Sequence, residues 1–227
     1  MTKPSERIRA RLVAAGERFR ANDNIAKFIE PGELEALTDE VAAQVSSLLQ
    51  SLVIDIENDH NTRETGARVA RMYLKEIFAG RYEPSPDLTA FPNVTSYDEL
   101  YLVGPITIRS TCAHHLQNIR GNCWIGIYPG KNVLGLSKFY RLSEWITARP
   151  QIQEEMTIQI ADLVEQETSA EGVAVVVKAE HMCVTHRGVR EHASDMTTSV
   201  LRGSLRENSD TRAEFFRLLQ GMKGFNN

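Results

Sequence analysis

The order in which hydrophobic periodicities follow one another constrains this chain more than any single motif. Apolar residues recur at helical spacing up to about residue 80. A Pro-, Asp- and Ser-rich stretch over residues 81–97 follows, and after it the texture turns to short runs rich in β-branched and aromatic residues. In the first region, residues 4–20 carry Ile8, Leu12 and Val13, and residues 33–52 carry Leu34, Leu37, Val41, Val45, Leu48 and Leu49 close to a 3.6 period. A third helix is expected to begin at Asn61, with Glu64 completing a capping box, and to stop at Gly80. In the second region, strands are expected over residues 100–108 and 123–128. A helix N-capped by Ser137 then turns Phe139, Leu142 and Ile146 inward. Pro150 is suited to open a further helix reaching about residue 168. Strands over 173–185 and 196–204 and a last helix over 211–219 complete the chain. Helices, two strands, two helices, two strands and a helix make an α+β pattern, since no βαβ alternation occurs. The chain thus divides into an N-terminal helical segment, residues 1–90, and an α+β domain, residues 91–227.

Hydrophobic residues make up 42% and charged residues 25%, the balance of an ordinary globular chain. The N-terminus lacks the apolar stretch of a signal peptide, and no run approaches the roughly 20 apolar residues needed to span a bilayer. A cytoplasmic protein with no membrane partner is expected. Three scattered cysteines make no disulfide framework, so packing, metal ligation or nucleophilic chemistry are their open uses. A net charge of −4 excludes a nucleic-acid binder that works through bulk electrostatics.

Two clusters carry metal-type chemistry. Cys112, His114 and His115 follow the first strand, and the two-residue gap between Cys112 and His115 lets one turn offer two ligands to one ion. His181 and Cys183 end the expected strand over 173–185, where alternation puts both on the face of Val173, Val175 and Val177. A catalytic zinc takes three protein ligands and keeps one position for water, and these clusters hold more candidates than that. Cys123, in Asn122-Cys123-Trp124-Ile125, has no companion ligand and reads as core.

Basic residues gather near these clusters. Lys138 and Arg141 share one face of the helix after Ser137, Arg187 and Arg190 follow Cys183, and Arg68 and Arg71 share a face of the third helix. A polyphosphate would account for such grouping in an acidic chain.

Four blocks in order resemble GTP cyclohydrolase I over roughly residues 33–219: Ser110-Thr111-Cys112-Ala113-His114-His115, Gly135-Leu136-Ser137-Lys138, Arg149-Pro150-Gln151-Ile152-Gln153-Glu154, and His181-Met182-Cys183 with Arg187-Gly188-Val189-Arg190. The resemblance implies the tunnelling fold, a ββααββ unit with an antiparallel sheet and helices on one face. Its copies would form a ring-shaped homodecamer with sites at subunit interfaces. It implies Zn2+ on Cys112, His115 and Cys183, and catalytic roles for His114, His181 and Ser137. Gln153 and Glu154 would read the guanine edge of GTP beside Leu136. Ser137, Lys138, Arg141 and Arg187 would hold the triphosphate, with Arg68 and Arg71 reaching in from a neighbouring subunit. The implied reaction is hydrolysis at C8 of GTP, releasing formate and forming 7,8-dihydroneopterin triphosphate. Ala113 departs from the family, which usually has Glu there, and leaves open a relative acting on another purine or pterin. A structural zinc protein is the non-enzymatic alternative, and it would close all four positions around the metal.

Overall fold

The computed structural model describes residues 2–225, and the chain divides between Pro84 and Ser85 into two compact units. The first is helical: α1 (Pro4–Ala14), α2 (Glu33–Ser51), α3 (Thr65–Met72) and the short α4 (Ala79–Tyr82). Ile8, Leu12, Ile25, Leu37 and Leu74 form its core. α1 ends well before residue 20 because Gly16 adopts a left-handed φ of +65°. The N–H groups of Gly16 and Glu17 then turn back onto the carbonyls of Val13 and Leu12, each at 3.0 Å, which closes the helix. No capping box forms at Asn61. The Asp59 carboxylate instead accepts from the Asn61 N–H (2.9 Å) and the Thr62 hydroxyl (3.1 Å), so a local turn wins and helix begins only at Thr65. Past Met72 the helix widens into a π turn over Tyr73–Ile77, where Phe78 N–H reaches the Tyr73 carbonyl and the two rings stack at 4.9 Å. Glu33, only 4% exposed, ties α2 to α1 through Arg7 (3.1 Å) and Arg11.

The second unit is built on a five-stranded sheet in the order β5-β2-β3-β6-β7. A small ribbon, β1 (Ala90–Pro92) with β4 (Asn132–Leu134), stands apart from it. The main strands are β2 (Tyr101–Cys112), β3 (Asn118–Tyr128), β6 (Gly172–His181) and β7 (Met196–Gly203), antiparallel throughout. β5 (Pro150–Gln151) lies parallel to the end of β2. Between the two hairpins run α5 (Leu136–Thr147) and α6 (Gln153–Thr168). This is the ββααββ core of the tunnelling fold, as expected. Both helices cover one face, packing Phe139, Leu142 and Ile146 with Met156, Ile160 and Val164 onto Ile106, Ile108, Ile125, Ile127, Val173, Val175 and Val177. The C-terminal elements α8 (Ser204–Glu207) and α9 (Ser209–Gln220) follow that ββααββ core and cover part of the other face. There Leu205, Phe215 and Leu219 meet Trp124, Ala174 and Val176. β6 is therefore buried on both sides over its first half, which explains its uninterrupted run of small and β-branched residues.

Several boundaries near the site differ from the periodicity reading. β2 and β3 extend beyond their apolar stretches, to Cys112 and back to Asn118, because Arg109, Ser110 and Thr111 pair with Arg120, Ile119 and Asn118. Pro150 opens no helix; it pairs with Thr111 as β5, and α6 starts at Gln153. β6 stops at His181, and Met182–Thr185 form a single helical turn, α7. Alternation therefore does not carry Cys183 onto the face of His181. Ser137 is the second residue of α5, whose N-cap is Gly135. No helix among the described residues is long and apolar enough to cross a membrane.

Candidate metal centre and the groups around it

The turn after β2 is closed by its own backbone: Cys112 N–H donates to the Gln117 carbonyl at 2.8 Å, and Leu116 N–H to the Cys112 carbonyl at 2.9 Å. Ala113 N–H donates to the Gln151 carbonyl at 3.1 Å, which continues the pairing with β5. From the other side, the β3–β6 register sets Ile119 opposite His181, so the end of β6 reaches the same rim of the sheet. α7 then delivers Cys183. One ligand atom each from Cys112, His115 and Cys183 falls within 4.8 Å of the others, with Cys112 buried, Cys183 half-buried and His115 exposed. Two sulfurs and an imidazole are a donor set zinc accepts, and three ligands with one on the exposed side leave room for a fourth, exchangeable one. These residues therefore fit the metal. His114 lies beside the trio, its Nδ1 3.8 Å from Cys112 Sγ. Burial and the adjacent Cys112 sulfur push the Cys183 thiol up from its ordinary range, against the pull of the Arg187 charge. Cys123 is fully buried in the core, where burial alone pushes its thiol far up.

Gln153 has no exposed surface, and its amide is fully committed. Nε2 donates toward the carbonyls of Val177 (3.0 Å) and Met196 (3.0 Å) and the Thr198 hydroxyl (3.1 Å). Carbonyl oxygens only accept, so the nitrogen end of the amide must point that way. Oε1 consequently faces His181 Nε2 at 2.7 Å, which makes that ring nitrogen the donor. The free lone pair of a neutral His181 is then on Nδ1. Burial lowers the pKa of His181, and the nearby Glu154 carboxylate opposes that shift. Glu154 itself is exposed at the first turn of α6.

The basic and neighbouring positions are more scattered. Leu136 and Ser137 are exposed at the start of α5, Arg141 is exposed one turn further on, and Lys138 Nζ donates to the Asp87 carbonyl at 2.7 Å. Arg187 is exposed beyond α7, close enough to act on the Cys183 thiol. Arg68 and Arg71 belong to the N-terminal unit, exposed on α3, with Arg68 paired to Glu64 at 2.8 Å.

The motif reading passed over two supporting groups. Gln151, 1% exposed, donates to the Ser110 hydroxyl (3.2 Å) and the Ile146 carbonyl (2.8 Å), binding the metal strand to α5. Thr157 links the Gln153 carbonyl to the Thr198 hydroxyl, with both contacts at 2.7 Å. Gln151 stood in the third matching block without a role of its own, and the sequence signal for Thr157 was a polar residue inside the apolar period of α6.

Residues 41–220 match the family model described as GTP cyclohydrolase I. The GTP cyclohydrolase 1 of Corynebacterium glutamicum (strain R) is 41% identical over 183 residues, covering 78% of this chain and 93% of that protein. The GTP cyclohydrolase 1 of Shewanella loihica is 37% identical over 182 residues, covering 80% and 85%. That of Actinobacillus pleuropneumoniae serotype 5b is 38% identical over 202 residues, covering 86% and 92%. Among solved structures, an archaeosine synthase QueF-Like in the apo form aligns with a TM-score of 0.34 at 15% identity, over 53% of this chain and 97% of that one.

Proposed function

The chain belongs to the GTP cyclohydrolase I family, and from that membership we propose a zinc-dependent enzyme that converts GTP to formate and 7,8-dihydroneopterin triphosphate. The observation that carries the reading is the convergence of Cys112, His115 and Cys183 beside His181, whose ring is held by Gln153. Bound by that trio, zinc supplies the Lewis acidity that activates water at neutral pH.

The remaining steps fall to side chains. C8 of guanine lies between two nitrogens, so it is electrophilic, and protonation at N7 makes it more so. His181 serves that proton transfer at Nδ1, since Nε2 is engaged by Gln153. The proton for N7 comes from the protonated ring, and the lowering of its pKa by burial makes that ring the stronger acid toward N7. Glu154 accepts hydrogen bonds from N1–H and the 2-amino group of guanine together, a pair adenine lacks. Gln153 was expected to read the same edge, but its side-chain hydrogens are spent on the chain. We assign it instead to holding His181. His114 and Ser137 carry protons in ring opening and the later sugar rearrangement, and Leu136 packs beside the base. Ser137, Lys138, Arg141 and Arg187 hold the triphosphate, and Arg68 and Arg71 complete that site from a neighbouring subunit of a homodecamer working in the cytoplasm. Ala113 removes a carboxylate the family usually has. The turn does not depend on that side chain, because Ala113 is tied through its backbone N–H to Gln151.

The test is to incubate the purified protein with GTP and with ATP and to follow formate release and pterin fluorescence, before and after removal of metal by a chelator. Formate and pterin from GTP alone, lost on chelation and restored by zinc, are expected. Turnover that survives complete metal removal would overturn the zinc reading.

A further inference from the structure

Cys183 sits in α7, a single turn of four residues, and one turn of helix is not stable by itself because its few hydrogen bonds do not offset the dihedrals they fix. The backbone ties here are His186 N–H to the Met182 carbonyl (3.1 Å) and Arg190 N–H to the Val184 carbonyl (2.9 Å), both within the same segment. A side-chain tie leads back to the sheet. Thr185, 3% exposed at the end of α7, donates its hydroxyl to Glu180 Oε1 at 2.8 Å. Glu180 Oε2 accepts from Arg120 Nε at 3.0 Å, and Arg120 and Glu180 are direct partners across β3 and β6. Both oxygens of one carboxylate thus join two adjacent strand ends to the last residue of the turn. The Thr185 hydrogen bond, followed by that from Arg120, holds the Glu180 carboxyl below the usual carboxylate range, so the ionised acceptor persists at neutral pH.

We propose that Arg120, Glu180 and Thr185 form a clasp that positions Cys183 and thereby sets how tightly the Cys112–His115–Cys183 trio holds zinc. None of the three clasp residues is among the candidate ligands; they act by keeping α7 folded before the metal arrives. Without the clasp the turn frays, and binding must supply the ordering of several backbone dihedrals. Loss of supporting groups behind metal ligands weakens affinity by about 10- to 100-fold in other sites. A clasp one step removed from the ligand belongs at the lower end, about tenfold. The inference rests on the zinc reading of the trio.

The experiment titrates zinc into the metal-free full-length protein in competition with a chromophoric chelator, alongside the thermal midpoint of each metal-free variant. Thr185→Val keeps the shape and removes the hydroxyl; it should weaken zinc about tenfold and leave the metal-free midpoint nearly unchanged. Thr185→Ser should bind like the parent. Glu180→Ala should match Thr185→Val, and the double variant should lose no more than either alone, because both break the same tie. Parent-like affinity in Thr185→Val overturns the clasp, as do additive losses or a loss that tracks a fall in metal-free stability. A parent protein that takes up no zinc overturns the zinc reading and the clasp with it, an outcome distinct from a parent that binds and a Thr185→Val protein that binds equally well.

Discussion

Replacing Gln153 with Leu tests the arrangement on which the proposed chemistry depends. Leu keeps most of the volume of the buried side chain and removes every polar contact. Its amide donates toward the Val177 and Met196 carbonyls and the Thr198 hydroxyl and accepts from His181, so about three hydrogen bonds' worth of donor and acceptor capacity is lost. At a net of about 1 kcal/mol each, a stability loss of about 3 kcal/mol is expected. The effect on turnover has another origin. His181 would be free to rotate and to place its proton on either ring nitrogen, and a positioned acid–base group is worth about 10² to 10⁴ in rate. We expect kcat to fall about a hundredfold with KM little changed, read from initial rates of pterin formation on protein shown to be folded by circular dichroism. Gln153→Glu sharpens the test. It matches the parent in shape but turns an oxygen toward the Val177 and Met196 carbonyls, so it should rescue neither stability nor rate. A folded Leu variant with the parent kcat, or a Glu variant with parent stability and rate, would refute the reasoning.

Cys183→Ala and Cys112→Ala should each abolish zinc uptake and turnover, whereas Cys123→Ala should keep the metal and lose only some thermal stability through a small cavity in the sheet core; metal analysis and melting curves decide. Glu33 has a lowered folded pKa: burial acts against ionisation, but the Glu30 N–H, Arg11 and Arg7 together outweigh it. Its contribution is therefore present above the unfolded pKa of about 4.3 and lost as pH falls through the lower folded value. Glu33→Gln should lower the melting temperature at pH 7 and converge with the parent in acid, and a pH-independent difference would contradict the assignment. Mixing an Arg68→Ala chain with a Cys183→Ala chain should restore part of the activity that each lacks alone, and hetero-oligomers without any rescue would remove Arg68 from a site shared between subunits.

What could be read from the residues followed from which forces act locally. Helical spacing over residues 33–52 and the β-branched run of β6 reflect burial of one face or two, and the structure follows them closely. Cys112 and His115 were legible because a two-residue gap fits one turn. Cys183 was legible as a ligand type but not in its setting, because nothing in the run Ala179-Glu180-His181-Met182-Cys183 announces that alternation stops at His181. The polar outer halves of β2 and β3 carry no apolar signal, and only cross-strand pairing makes Arg109 and Arg120 strand residues. Gln153 and Glu154 were both assigned to the guanine edge by the family resemblance alone, and nothing in their spacing separates the two. That the two side chains part, one into the core and one into solvent, depends on where α6 begins, and its start is set by the pairing of Pro150 with Thr111.

That pairing has a consequence for how this chain can change in length. β5 is only two residues long, yet it links Cys112 to the first turn of α6 through main-chain bonds, Ala113 N–H to Gln151 among them. The connection from Thr147 to Gln153 therefore acts as a spacer of fixed gauge. A residue added within it would slip the register by one and turn Gln151 away from Ser110 and Ile146, while α6 would carry Gln153 out of reach of His181. The segment from Asn93 to Glu99 is different: it is largely exposed and lies between a two-stranded ribbon and the start of β2, at the end of that strand remote from Cys112. Added residues there lengthen a loop at small entropic cost and leave the spacing of the metal strand and α6 untouched.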